Sequence, residues 1–429
     1  MRKLFKVLGS AVLVAAVCFA IAGCSQEETK TPATRTHDQI THVITGNEEG
    51  KTAQHNFVDG KCTMCDETTI FRQDPMLKSE EILLTEQQEK GTVESFWYKT
   101  RAYGVEEKFK NRPDSEYKEG DELWIWKRAF VYLPYGYDPE DTETKYNVMY
   151  MMHGNKLNEG YWFGTGTYAT DKSAYTGGYG TENVLDYLIE NDLAEKTIFV
   201  AMTMYQYYDG EYREGADRDD VSKFVGGNAE MGNVYSGFVD KESDLGYRLG
   251  WGDDNMGDDS VYWKEWYNSL MPYVVTHYNT YTVVPETGAD PDSQEFKNAC
   301  IAARDHVAFT GLSRGGQSVR SVMTNCLEYI SYFAYESTGV PDEATIANIN
   351  AKADTYPCRY IFISCGSQEG PDECDAQMLD VRDQLGWTQN EGSDIANGDR
   401  ICFIQVNGTA HNYATWITNL YNFALVAFK

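Results

Sequence analysis

Runs of almost unbroken β-type apolar residues recur along the chain, at 128–133, 146–152, 197–202, 306–310, 332–336, 360–365 and 401–406. Strands that are apolar at successive positions, rather than at every second one, are buried on both faces. Between them the apolar residues take helical spacing, at 184–190, 263–278, 317–327, 376–385 and 413–428. Such alternation predicts an α/β class: a mostly parallel central sheet flanked by helices. Nearer the start, 96–103 and 123–133 are placed to pair as an antiparallel meander. A short helical stretch over 78–90 leads into this main domain, which is read as 92–429.

Two intervals break the rhythm. Residues 205–262 are rich in Gly, Asp and Tyr with little periodicity. A connection of that length inside a compact domain is expected to be functional, and it follows the 197–202 strand, so it should lie over the carboxyl edge of the sheet, where open α/β sheets bind ligands. It is read as a lid-like, substrate-contacting insertion. The acidic cluster Asp253–Asp259 within it has no recognisable calcium-ligand spacing and is read as solvated loop.

The second interval is the start. Arg2, Lys3 and Lys6 precede an apolar run from Leu8 to Ile21, which ends in Ile21-Ala22-Gly23-Cys24. A charged start and a run too short for a stable span make an export signal. Small residues directly before a Cys resemble the bacterial lipobox, which predicts a signal over 1–23, diacylation of Cys24 and a membrane-tethered protein outside the cytoplasm. Residues 25 to about 50 carry almost no large apolar side chains and read as a tether. Within 24–91, His55, Cys62 and Cys65 form a Cys-x-x-Cys knuckle with a nearby His, which has zinc-type ligand chemistry. A fourth ligand is not evident, although His42 is within reach, and a small disulfide or a turn is the alternative, so no metal is assigned.

Composition narrows the partners. The 429 residues carry a formal net charge of −29, which argues against nucleic acid, since that needs a basic face. Beyond Cys18 and Cys24 the cysteines are Cys62, Cys65, Cys300, Cys326, Cys358, Cys365, Cys374 and Cys402. An exported chain permits disulfides. Cys365 and Cys402 lie inside apolar runs, where buried free thiols are expected; no pairing is assigned.

The chemistry centres on Gly311-Leu312-Ser313-Arg314-Gly315-Gly316, between a β-type run and a helical pattern. G-x-S-x-G in that setting is a nucleophile elbow, whose glycines permit a tight turn that lifts the hydroxyl above the sheet. A serine hydroxyl needs a base, and His411 is the only His after Ser313. The acid that orients such a base should follow a strand's carboxyl end. Glu369 is the first carboxylate after the 360–365 run, and Asp372 is the alternative. An oxyanion hole needs two backbone N–H donors. Arg314, just after the nucleophile, is one, and Asn155, after His153-Gly154 at the end of the 146–152 run, is the other. The His153 side chain is read as a brace for that loop. No cofactor is required.

Together, Arg128–Tyr137, Tyr150–Gly154, Leu270–Tyr273 with Tyr278–Thr280, Gly311–Gly316, and His411 with Trp416 and Tyr421–Phe423 resemble one family. It is the esterase group that contains the bacterial feruloyl esterases of carbohydrate esterase family 1. The resemblance runs in order from about Arg128 to the C-terminus. It implies an α/β-hydrolase fold and acyl transfer to water, often releasing hydroxycinnamate or acetate from plant cell-wall xylan. The chain departs from the family's pattern in two places: Glu369 stands where the family usually has Asp, and Asn155-Lys156 replaces a glycine-rich loop. The expected substrate is an acylated polysaccharide or oligosaccharide, with Tyr205, Tyr207, Tyr208, Trp251, Tyr262 and Trp263 either stacking on sugars or hydroxycinnamates or packing within a large lid. A small-acyl (acetyl) esterase and a non-catalytic glycan-binding surface lipoprotein are the alternatives.

Overall fold

The computed structural model describes residues 82–83, 85–110, 122, 124–155, 157–165, 180–206, 259–369, 381, 384–387 and 400–429, with short backbone strands at 44–45, 52–53, 57–58, 61–62, 72–75 and 237–239. The side chains of Cys24, His55, Cys62, Cys65 and Asp372, and most of the 205–262 insertion, lie outside the described residues.

Among the described residues, one ten-stranded sheet organises the domain. Its strands are β1 (Arg72–Pro75), β2 (Thr92–Arg101), β3 (Trp124–Leu133), β4 (Asn147–Met152), β5 (Thr197–Met202), β6 (Gly237–Val239), β7 (Val307–Leu312), β8 (Tyr332–Glu336), β9 (Tyr360–Gly366) and β10 (Ile401–Asn407). The order is β6-β3-β5-β4-β7-β8-β9-β10-β1, with β2 on the other side of β3. From β5 to β1 every pairing is parallel, whereas β3 is antiparallel to β2, β5 and β6. The predicted meander and parallel sheet are both present.

Alternate residues of each strand feed separate cores. From β4, Val148, Tyr150 and Met152 enter one, with Trp266, Leu270 and Phe309. Met149 and Met151 enter the other, with Val184, Leu188, Ile417 and Phe423. Full burial on both faces is why these strands read as continuous apolar runs. The first face is covered by α3 (Tyr262–Glu265), a π-helical turn (Trp266–Leu270), α4 (Met271–His277), α5 (Gln294–Ala303), α6 (Gly315–Asn325) and α7 (Glu343–Ala351). α2 (Thr181–Glu190) and α8 (Tyr413–Ala424) cover the second. The single helix expected over 263–278 is divided by the π turn just before Pro272, which has no N–H to continue a regular ladder.

The chain differs from expectation at its entry. Residues 85–90 are irregular rather than helical, an additional helix α1 (Tyr103–Lys110) follows β2, and the sheet takes an edge strand from 72–75. Leu83 is buried in the second core.

From β4 the chain steps outward to β5, and from β7 it proceeds to β8 on the opposite side. Strands β4 and β7 therefore flank a topological switch point, and the loops leaving their carboxyl ends diverge to form a crevice.

Candidate active site

Ser313 lies in that crevice, between the end of β7 and the start of α6. Its φ is +50°, in the left-handed region, a strained conformation for a residue with a side chain. The turn leaves no room at the flanking glycines. A Cβ on Gly311 would strike the Gly315 carbonyl, and one on Gly315 would lie 2.6 Å from the His153 carbonyl oxygen. The Ser313 N–H donates to the Glu336 carbonyl of β8 at 2.8 Å, anchoring the elbow to the neighbouring strand.

His411 stands on the loop between β10 and α8. Its Nε2 is 2.9 Å from Ser313 Oγ and its Nδ1 is 2.8 Å from Glu369 Oε2. A carboxylate only accepts, so it fixes the proton on Nδ1 and leaves the Nε2 lone pair facing the serine hydroxyl. Trp416 packs edge-on against the imidazole, with ring centroids 5.2 Å apart. The Glu369 side chain is fully buried, whereas His411 is 36% exposed on its open side. The second carboxylate oxygen, Oε1, accepts from Ser337 Oγ at 2.7 Å and from the Gly366 N–H at 2.5 Å. The acid and base loops are laced together: Gln368 N–H donates to the Thr409 carbonyl at 2.8 Å and Gly408 N–H to Ser367 Oγ at 2.8 Å.

Opposite His411, a Cβ on Gly154 would come within 3.1 Å of Ser313 Cβ, so the His153-Gly154-Asn155 loop runs directly beside the nucleophile. The Gly154 carbonyl oxygen accepts from His153 Nδ1 at 2.7 Å and from the Leu157 N–H at 3.3 Å. In a trans peptide the C=O and the following N–H point in opposite directions. Holding the Gly154 carbonyl on the His153 side therefore turns the Asn155 N–H the other way. Burial drives the His153 pKa down to about 3, so this imidazole is neutral. With its Nδ1 proton committed, Nε2 accepts from Thr203 Oγ1 at 2.8 Å. The side chain is a brace, as its sequence context suggested.

Behind the brace lies a polar network that the sequence reading missed. Lys127 and Glu265, both fully buried, are 2.6 Å apart. Lys127 Nζ also donates to the Thr203 carbonyl at 2.6 Å. Tyr98 and Gln206 donate to Glu265 at 2.8 and 3.2 Å. Burial pushes the Lys127 pKa down and that of Glu265 up, and each resists the shift of the other. A second buried pair, Arg128 and Glu159 at 2.9 Å, lies one residue along β3. The one legible signal was the charged Lys127-Arg128 dipeptide inside an otherwise apolar run. Arg314 turns its guanidinium away to Asp259 at 2.8 Å, leaving its backbone at the N-terminus of α6. Asp259 is thus ion-paired rather than solvated.

Among the described cysteines, Cys300, Cys326 and Cys358 are buried free thiols, and Cys402 is buried. Cys365 is disulfide-bonded, which corrects its reading as a free thiol. The apolar run disguised it, because Cys365 is the penultimate residue of β9 and the chain leaves the sheet just beyond it.

Chemically, the hydrogen-bonded chain Glu369–His411–Ser313 suits proton removal from a serine hydroxyl and attack on a carbonyl. Arg314 follows Ser313 at the start of α6, and Asn155 follows Gly154 on the loop beside the nucleophile. No family model matches the chain. Over 207 residues, 48% of its length, it is 27% identical to endo-1,4-beta-xylanase Y of Acetivibrio thermocellus, of which the match spans only 12%. A CE1 ferulic acid esterase from the anaerobic fungus Anaeromyces mucronatus aligns at 17% identity with a TM-score of 0.43, over 83% of this chain and 98% of that one. The feruloyl esterase module from Clostridium thermocellum, complexed with sinapinate, aligns at 20% identity with a TM-score of 0.51, over 83% of this chain and 94% of that one. By the last of these likenesses, the chain has the α/β-hydrolase fold of that feruloyl esterase module.

Proposed function

We propose that the chain is a serine carboxylester hydrolase, exported and lipid-anchored at Cys24, that removes hydroxycinnamoyl groups such as ferulate from plant cell-wall polysaccharide. The observation that carries the reading is the relay of two short hydrogen bonds, Glu369 to His411 and His411 to Ser313. In this scheme His411 takes the Ser313 proton as the oxygen attacks the ester carbonyl. Glu369 stabilises the imidazolium without itself being protonated, and the N–H groups of Arg314 and Asn155 hold the tetrahedral oxyanion. His411 then protonates the departing sugar alcohol. Water, deprotonated by the same imidazole, releases the acid.

The acyl class draws its support from the feruloyl esterase module that shares the fold and from the stretch of likeness to a xylanase. Export and anchoring draw theirs from the Ile21–Cys24 sequence and the basic start. The test is release of ferulate and acetate from arabinoxylan by wild type and Ser313→Ala. Ferulate release that disappears in the variant supports the proposal. Acetate alone would shift it to a small-acyl esterase, and no release of either would overturn the polysaccharide reading. Palmitate labelling that vanishes in Cys24→Ala tests the anchor.

A further inference from the structure

The end of β8 touches both ends of the relay through consecutive residues. The Glu336 carbonyl accepts the Ser313 N–H at 2.8 Å. Ser337 donates its hydroxyl to Glu369 Oε1 at 2.7 Å. The Thr338 side chain fills the space beside Gly316, where a Cβ would collide with it. Ser337 is fully buried, and its φ of +51° is in the left-handed region. Its N–H is fixed to the Ser364 carbonyl of β9 at 2.7 Å. A non-glycine residue kept in that conformation needs surroundings that over-determine it, and here the held hydroxyl meets the buried carboxylate.

We infer that Ser337 is a positioning residue for Glu369, an inference that rests on reading Ser313, His411 and Glu369 as the catalytic relay. Glu369 carries one methylene more than Asp, so its carboxylate has an additional torsion to fix. The Gly366 N–H, at the end of β9, is only three residues from Glu369 along the chain. Ser337 is the donor from a different strand, and it ties the acid to the strand that also anchors the nucleophile. Without it, Oε1 keeps one donor and the carboxylate is free to rotate away from His411 Nδ1.

Two substitutions separate this role from a purely structural one. Ser337→Ala removes the hydroxyl and keeps the strained backbone. Ser337→Gly removes the hydroxyl and relieves the strain, since glycine adopts positive φ freely, so it is the variant that folds at least as well as wild type. A hydrogen bond to a charged group corresponds to a factor on the order of 10 to 100. With a p-nitrophenyl ester, kcat is expected to fall by that factor in both variants while KM changes less than about threefold. An imidazolium that loses its fixed carboxylate partner gives up its proton more readily, so the acid limb of kcat/KM, which reports the base, should move to lower pH in both variants. Ser337→Gly with wild-type kcat and an unmoved acid limb would overturn the inference while leaving the esterase reading intact. Equal hydrolysis by wild type and Ser313→Ala would instead remove the relay, and the role of Ser337 with it.

Discussion

Replacing Glu369 by Gln changes one atom, and the structure dictates which way the new amide faces. Oε1 accepts from two donors, Ser337 Oγ and the Gly366 N–H. The latter is backbone and cannot reverse its polarity. The oxygen of the introduced amide therefore takes the Oε1 position, and its NH2 group takes the Oε2 position, 2.8 Å from His411 Nδ1. An NH2 group only donates, so Nδ1 must accept and the imidazole proton moves to Nε2. There it faces Ser313 Oγ at 2.9 Å, and the base no longer has a lone pair for the serine proton. Enforcing the wrong tautomer in a serine triad costs a factor of about 10⁴ in kcat, equivalent to about 5 kcal/mol of transition-state stabilisation. Volume and burial are nearly conserved, so the variant should fold normally, which circular dichroism and urea denaturation verify. The readout is kcat on a p-nitrophenyl ester at neutral pH. A folded Glu369→Gln enzyme retaining more than a tenth of wild-type kcat would refute this tautomer argument.

Other predictions concern the supports of the site. Lys127→Met leaves the Glu265 carboxylate buried without its cation and should cost about 3–5 kcal/mol of stability; Lys127→Met/Glu265→Gln should recover most of it in urea denaturation, since both charges are then gone. Gly315→Ala, whose Cβ would lie 2.6 Å from the His153 carbonyl oxygen, should lower kcat at least tenfold by displacing the oxyanion loop, measured beside an unchanged Ser313→Ala background rate. Glu336 is buried and its pKa is raised to about 8, so between about 4.5 and 8 the folded state holds a proton that the unfolded state has lost. Stability must therefore fall as pH rises through that window, by several kcal/mol at ~1.4 kcal/mol per unit. Glu336→Gln should flatten this part of the curve of unfolding free energy against pH.

Much of the fold could be read from local pattern, for a physical reason. Strands such as 197–202 and 332–336 are buried on both faces, so their limits coincide with their apolar runs. Helices α5 and α7 escaped notice because each buries only three residues, Phe296, Cys300 and Ala303 in one and Thr345, Ile346 and Ile349 in the other. Ser313 was visible because its turn needs glycines within the same six residues, and His411 because no other histidine follows. Ser337 carries no such mark: its role depends on a carboxylate 32 residues away that only strand pairing brings near. The Lys127–Glu265 pair spans 138 residues and was illegible for the same reason.

The edge strand at 72–75 bears on how the protein can be handled. It lies parallel to β10, the strand that delivers His411, with Ile404 opposite Arg72 and Asn407 opposite Pro75. A truncation starting at residue 92, the place where the strand pattern first becomes regular, would strip this cover. It would leave the 404–407 edge of β10 unpaired, a template for edge-to-edge association. A recombinant form that begins upstream of residue 72 should therefore stay monodisperse where the shorter one self-associates, and the loss would fall first on the loop that carries the base.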